Sequence, residues 1–186
     1  MYYCGIDPGK DGGVCVLTED SEIAYMFIYD DCLFAKLLCS ELNGKPVMVC
    51  IEDVHAVQGS KAKSTFNFGI NTGRAQGIII ASCREFDKVL PQIWKKEYDL
   101  ILGEEYNTEY KKQKSIDKAH ELWPKQSFAY RSQFMKDTNG NFILSNDGKR
   151  IKEFVDHDGV CEAALIAEWV RRKNLNLLTG DYKDMV

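Results

Sequence analysis

The sequence of 186 residues lacks any long apolar run, carries only 4 prolines and 3 histidines, and has no paired-cysteine motif. No uncharged stretch approaches the roughly 18 apolar residues that a membrane-spanning helix needs, so no membrane partner is expected. Met1–Gly5 has neither the charged start nor the apolar stretch of a secretory leader. No low-complexity segment and no internal repeat stands out, and a near-average composition excludes a disordered tail, a fibre or a collagen-like chain. The 7 cysteines (positions 4, 15, 32, 39, 50, 83 and 161) are odd in number and never spaced C-x-x-C. That argues against a disulfide framework and against a structural zinc site. Several lie inside apolar runs such as Val14-Cys15-Val16, where a thiol acts as a small hydrophobe. A reducing, cytoplasmic location is expected, and no local signature ties a histidine to a cysteine nucleophile.

What is present suits one domain spanning 1–186, with 45% hydrophobic residues and enough length for a core. A net charge of −4 discourages a general nucleic-acid-coating protein, but the charge is unevenly placed. Residues 1–55 hold 3 basic and 10 acidic side chains, whereas 56–114 hold 10 basic and 7 acidic. An acidic frame around a basic middle is the pattern of a metal-dependent enzyme acting on a polyanion; ordinary surface scatter is the alternative.

Two β-rich runs, 2–6 and 14–18, flank a turn-rich stretch, and 23–28 supplies a third strand. A helix is expected from Asp30 or Asp31 to about 43, with Leu33, Leu37, Leu38 and Leu42 on one face. The continuous apolar run 46–51 reads as a buried parallel strand. Helices are expected at 65–86, 94–102, 108–123 and 160–173, with a strand at 89–93. Asn139-Gly140 and Asp147-Gly148 flank Phe142-Ile143-Leu144, which reads as a hairpin-like insertion at 136–150. Three antiparallel strands followed by alternating helices and strands describe an α/β domain with a mixed central sheet flanked by helices.

Asp7 and Glu52 each end an apolar strand, where rigid backbone aims a side chain at the ligand-binding edge of an open sheet. Asp158 and Glu162 lie four apart at a helix start, so both carboxylates can share one face. The alternative is that Asp158 only caps that helix. Four carboxylates without a cysteine–histidine set favour Mg²⁺ or Mn²⁺ over zinc. Two such ions about 4 Å apart can activate water and stabilise the leaving oxygen of a phosphodiester.

The residues resemble RuvC-like Holliday junction resolvases of the RNase H-like superfamily, specifically phage-type members, over nearly the whole chain. Gly5-Ile6-Asp7-Pro8-Gly9 resembles the opening strand and first catalytic aspartate, and Ile51-Glu52 the second acidic strand end. Thr65-Phe66-Asn67-Phe68-Gly69, Pro91-Gln92-Ile93-Trp94-Lys95-Lys96, and the segments at 112–115 and 119–124 are similar to later blocks in the same order. His157 to Leu165 resembles the closing acidic motif. The resemblance implies an RNase H-like fold with Asp7, Glu52, Asp158 and Glu162 as catalytic residues holding two Mg²⁺ (or Mn²⁺) ions. Asp156 stays a spare ligand, because the family's last pair is often spaced by three.

It also implies four-way or branched DNA as partner, a homodimer, and host cytoplasm if the protein is phage-encoded. The basic supply for phosphate contacts is Lys61, Lys63, Arg74, Lys95, Lys96, Lys112, Lys114 and Lys118, with Lys112 placed where the family has a lysine near its site. Phe66 and Phe68 are candidates to stack on bases at the junction, or to anchor a helix start. Gly69, Gly73 and Gly77 recur every four residues and suggest a dimer helix, or packing on the chain's own sheet. The expected activity is symmetric nicking of Holliday junctions. Alternatives are a broader fork or three-way-junction nuclease, a non-cleaving junction-binding module, and a sugar-kinase-type phosphotransferase.

Overall fold

Alternation along the strands assigns each residue to one of two apolar layers, and the helices arrange themselves around that division. The computed structural model describes residues 1–53 and 62–179. Strands β1 (Tyr2–Asp7), β2 (Gly13–Thr18) and β3 (Ile23–Ile28) form an antiparallel meander. Strand β4 (Val47–Glu52) pairs parallel to β1, and β5 (Phe86–Val89) parallel to β4, so the sheet order is β3-β2-β1-β4-β5. Cys4, Ile6, Val14, Val16, Val49 and Ile51 face one layer, covered by helices α1 (Asp31–Lys36) and α2 (Ala62–Ala81). Tyr3, Cys15, Leu17 and Cys50 face the other, covered by α3 (Pro91–Glu97), α4 (Thr108–Leu122) and α5 (Asp158–Asn174). The expected mixed sheet flanked by helices is therefore present. Among the described residues no helix is long and apolar enough to cross a membrane.

Helix α5 lies across the central strand with no room to spare. A Cβ on Gly5 would come within 2.2 Å of the Ala163 carbonyl oxygen, and one on Gly159 within 2.1 Å of the Asp11 carbonyl oxygen. Gly159 also forms a β-bridge with Gly12, so the first turn of α5 is pinned beside the β1–β2 turn.

Several element boundaries differ from expectation. The first helix breaks into α1 and a π-helical turn at Leu37–Glu41, where Leu42 N–H donates to the Leu37 carbonyl. The wider turn buries Leu37, Leu38 and Leu42 together, with Phe34 in place of Leu33, which is exposed. The Arg84 guanidinium closes that end by donating to the Leu38, Leu42 and Lys45 carbonyls. Helix α2 stops at Ala81, and the strand expected at 89–93 is β5 at Phe86–Val89. Pro91 explains the shift: it lacks an N–H for the sheet ladder but is pre-set for the first position of a helix, so α3 starts there.

The segment between α4 and α5 departs furthest. Strands β6 (Arg131–Phe134) and β7 (Lys152–Val155) pair in a separate antiparallel sheet outside the expected 136–150 insertion. Beyond them Met135 N–H donates to Ile151, Ile143 N–H to Met135, and Ile151 N–H to Ile143, which closes a ring of three backbone bonds of 2.9 to 3.0 Å. These positions are eight apart, so 135–142 and 143–150 are two copies of one octad, each turning at a positive-φ glycine (Gly140, φ 84°; Gly148, φ 75°). The reading of no internal repeat is corrected. The two turn dipeptides were visible, but their common period shows only once the backbone bonds among Met135, Ile143 and Ile151 are seen to share it.

Gly5→Ala should destabilise the protein by about 1–3 kcal/mol or more, because the clashing atoms are backbone and cannot step aside. Ala at Gly73, where an added Cβ meets nothing within 4 Å, should instead stabilise by up to about 1 kcal/mol. Urea unfolding midpoints at unchanged slope check both.

Candidate active site

Ile6 of β1 is in register with Ile51 of the parallel neighbour β4, so the next residues, Asp7 and Glu52, end their strands side by side. Alternation turns both toward the α5 layer. Asp7 Oδ1 accepts the Gly9 N–H at 2.9 Å, and Glu52 Oε1 accepts the buried Trp94 Nε1–H at 3.0 Å. From the other side, α5 presents Asp158 at its first residue and Glu162 one turn later. The cap of α5 is His157, whose Nδ1 accepts the Val160 N–H at 3.4 Å. Asp158 is thereby released from the capping role and projects into the site.

The acids perturb one another. Burial, and then the Glu162 carboxylate, push Asp7 up to about 7, against the Gly9 amide and the Lys95 ammonium. Burial, and then Asp7 and Glu162, push Glu52 up to about 8, against Lys95 and Trp94. Asp158 also raises Asp7, so all four acids share one neighbourhood. Two lysines face them: Lys95 Nζ is 3.1 Å from Glu162 Oε1, and Lys112 Nζ is 2.5 Å from Asp158 Oδ2. Ser115 Oγ donates to the same Glu162 oxygen at 2.9 Å. Lys95, Lys111, Lys112, Ser115, Asp158 and Glu162 line a cleft at this edge of the sheet.

Among the described residues no three histidine, cysteine, aspartate or glutamate side chains form a ready-made ligand cluster. The carboxylates converge on one place, but their oxygens are turned toward Trp94, Ser115, Lys95 and Lys112. The chemistry of the set still fits a hard divalent cation. It offers only oxygen donors, and buried acids whose mutual repulsion now favours protonation would be relieved by positive charge between them.

Asp156, the spare ligand, is bonded to His120 Nε2 at 2.8 Å instead. Lys61 lies outside the described residues, and Lys63 is placed only as a backbone position near the start of α2. Phe66 is 69% exposed while Phe68 is half-buried, so Phe66 is the projecting member of that pair. Arg74 Nη1 is 3.6 Å from Asp31, Lys96 is exposed on α3, and Lys114 lies 3.8 Å from Asp117 and over the Tyr110 ring. Of the basic residues expected to contact phosphates, Lys95 and Lys112 pair with two of the four acids, Glu162 and Asp158, whereas Lys118 pairs with Glu121. A Cβ added at Gly69, Gly73 or Gly77 would meet nothing within 4 Å among the described residues, which argues against their packing on the chain's own sheet. Sequence reasoning missed Trp94 and Ser115. Ser115 was within reach of it, standing one turn from Lys112 on the same helix face.

No family model matches the sequence, and no curated protein matches it. Solved structures do. The structure of T. thermophilus RuvC in complex with a Holliday junction substrate is similar at 11% identity and a TM-score of 0.57, covering 95% of this chain and 97% of that one. A Thermus thermophilus RuvC structure is similar at 13% identity and a TM-score of 0.54, covering 95% and 98%. The likeness establishes a RuvC-type, RNase H-like fold.

Asp7 and Glu52 hold protons more tightly in the folded chain than in the unfolded one, whose values lie near 3.8 and 4.5. Their contribution to stability is thus fullest below about pH 4 and is lost as pH rises through about 7 to 8. In EDTA, the melting temperature should fall between about pH 5.5 and 8.5. The fall should be smaller in Asp7→Asn, and Mg²⁺ should raise the melting temperature more at the upper pH. A melting temperature indifferent to Mg²⁺ at high pH would contradict the fit to a divalent cation.

Proposed function

We propose that this protein is a Mg²⁺-dependent, structure-selective endodeoxyribonuclease that resolves Holliday junctions by paired symmetric nicks. The observation that carries the reading is the meeting of two strand-end acids, Asp7 and Glu52, with two helix-borne acids, Asp158 and Glu162, under a rim formed by Lys95 and Lys112. The RuvC-type fold supports it, since one of the similar structures is a RuvC holding a Holliday junction.

The four carboxylates would hold the metal. When bound, a pair of divalent ions supplies an activated water and stabilises the leaving oxygen of the scissile phosphodiester. The chain's own residues do the rest. Trp94 and Ser115 fix the Glu52 and Glu162 carboxylates, which cuts the reorganisation needed at the moment of reaction. Lys95 and Lys112 present positive charge at the lip, where a backbone phosphate can be drawn against the acids without any reading of sequence. Trp94, fully buried on the same side of the sheet, keeps water from its side of the Glu52 carboxylate and so strengthens the interactions there.

Two opposed strands need two sites, and α2 offers the surface for a second copy. Phe66, Ile70 and Ile80 are exposed along the helix that carries the open glycines. A twofold pairing through that helix would place two clefts on one particle.

Asp7→Asn should abolish Mg²⁺-dependent nicking of a synthetic four-way junction while leaving junction binding intact; undiminished nicking would sink the assignment. A panel of four-way junction, fork, three-way junction and linear duplex separates a resolvase from a broader debranching nuclease. Binding without nicking by the unaltered protein would favour a junction-binding module. Light scattering should give twice the chain mass, and a monomer with and without junction would overturn the dimer.

A further inference from the structure

The projection built by β6, β7 and the two octads belongs to none of the apolar cores, so its exposed side chains are not needed to hold the fold. Phe134 is paired with Lys152 and Ser132 with Phe154, which puts Phe134, Lys152 and Phe154 on one face of the small sheet. The octads extend it. Phe142 packs edge-on against Phe134 at 5.9 Å, and the Arg150 guanidinium lies 4.0 Å over Phe142 and 5.6 Å from Phe134. Lys136 lies 5.2 Å over Phe142, and Lys152 lies 5.1 Å over Phe134. Phe154 is 73% exposed and has no ring or cation partner among the described residues.

The acids of this projection are engaged elsewhere. Asp137 accepts the Asn139 and Asn141 amides, Asp147 pairs with Lys149, and Glu153 accepts from Gln133. The charged side chains that lie over the Phe134 and Phe142 rings are all cationic. The base of the projection also adjoins the candidate active site. Strand β7 runs through Asp156 directly into Asp158, and the charge of Arg131 is felt at Lys112 and His157.

A row of cations over aromatic rings, ending on a bare ring, matches the chemistry of single-stranded nucleic acid: phosphates along the charges and a base against the ring. We propose that this face binds an unpaired stretch of DNA strand beside the active site, with Phe154 as the stacking platform and Lys136, Arg150 and Lys152 as phosphate contacts. The inference deepens the nuclease reading and rests on it for the identity of the polymer.

The test is fluorescence anisotropy of labelled oligo(dT) and of linear duplex with the full chain, in Ca²⁺ so that binding is read without cleavage. Phe154→Ala should weaken oligo(dT) binding by about tenfold and leave duplex binding nearly unchanged, while Phe154→Trp should retain it. Lys152→Ala should lower the slope of log affinity against log salt by about 0.7, the increment for a single phosphate on a single strand. Unaltered oligo(dT) affinity in both alanine variants would overturn the proposal, as would an equal loss on duplex after Phe154→Ala. Loss of a co-purifying protein by Phe154→Ala, with DNA affinity unchanged, would overturn it in favour of a protein partner. Failure of the unaltered chain to nick any branched DNA would sink the nuclease reading, while the single-strand affinities would still decide this one.

Discussion

The closeness of α5 to the central strand is the constraint on which the rest depends. A helix normally stands about 10 Å from a sheet because side chains fill the gap, but Gly5 and Gly159 let backbone meet backbone here. That contact fixes the height of α5 over β1, and so the reach from Asp158 and Glu162 to Asp7 and Glu52. The alanines that follow, Ala163, Ala164 and Ala167, continue the same close approach along the helix and are fully buried. The apolar packing of the second layer and the spacing of the candidate ligands are therefore one design problem with one solution.

That solution stores electrostatic tension. Four acids at the edge of a dry sheet repel one another, and the structure answers with Lys95, Lys112 and hydrogen bonds from Trp94, Ser115 and the Gly9 amide. The answer is partial, since Asp7 and Glu52 keep pKa values far above those of free carboxylates. A more distant network shows the contrast. Glu168, equally buried, is held low by Arg171, Arg172 and Ser21, because there the partners suffice. The protein satisfies Glu168 and leaves the acids at the sheet edge wanting charge.

Much of this was legible in the sequence. The continuous apolar runs at 2–6 and 46–51 ended in Asp7 and Glu52, and the strand ends are where those acids stand. The mixed character of the sheet followed from three antiparallel strands and the helices and strands that alternate after them. What was hidden depended on contacts between distant residues. The π-helical turn at 37–41 is stabilised by Arg84, some forty positions on, and no local propensity encodes it. The capping of α5 by His157 was masked by the stronger capping tendency of the aspartate next to it. The strand at 86–89 was misplaced because Val89-Leu90 and Pro91-Gln92-Ile93 look uniformly β-rich until the missing proline N–H is counted. The octads were overlooked because neither copy has an apolar pattern of its own; their pairing is with each other.

The chain order of the site has a consequence for biosynthesis. Asp7 and Glu52 leave the ribosome early, while Asp158 and Glu162 arrive only after the projection between α4 and α5 has been made. Until then one face of the sheet, with Tyr3, Cys15 and Leu17, has no α5 to cover it. A nascent chain thus carries an uncovered apolar face and an incomplete acid cluster for most of its synthesis, and α5 supplies both the cover and the missing acids together. Chains interrupted before α5 would keep that apolar face uncovered and prone to aggregate.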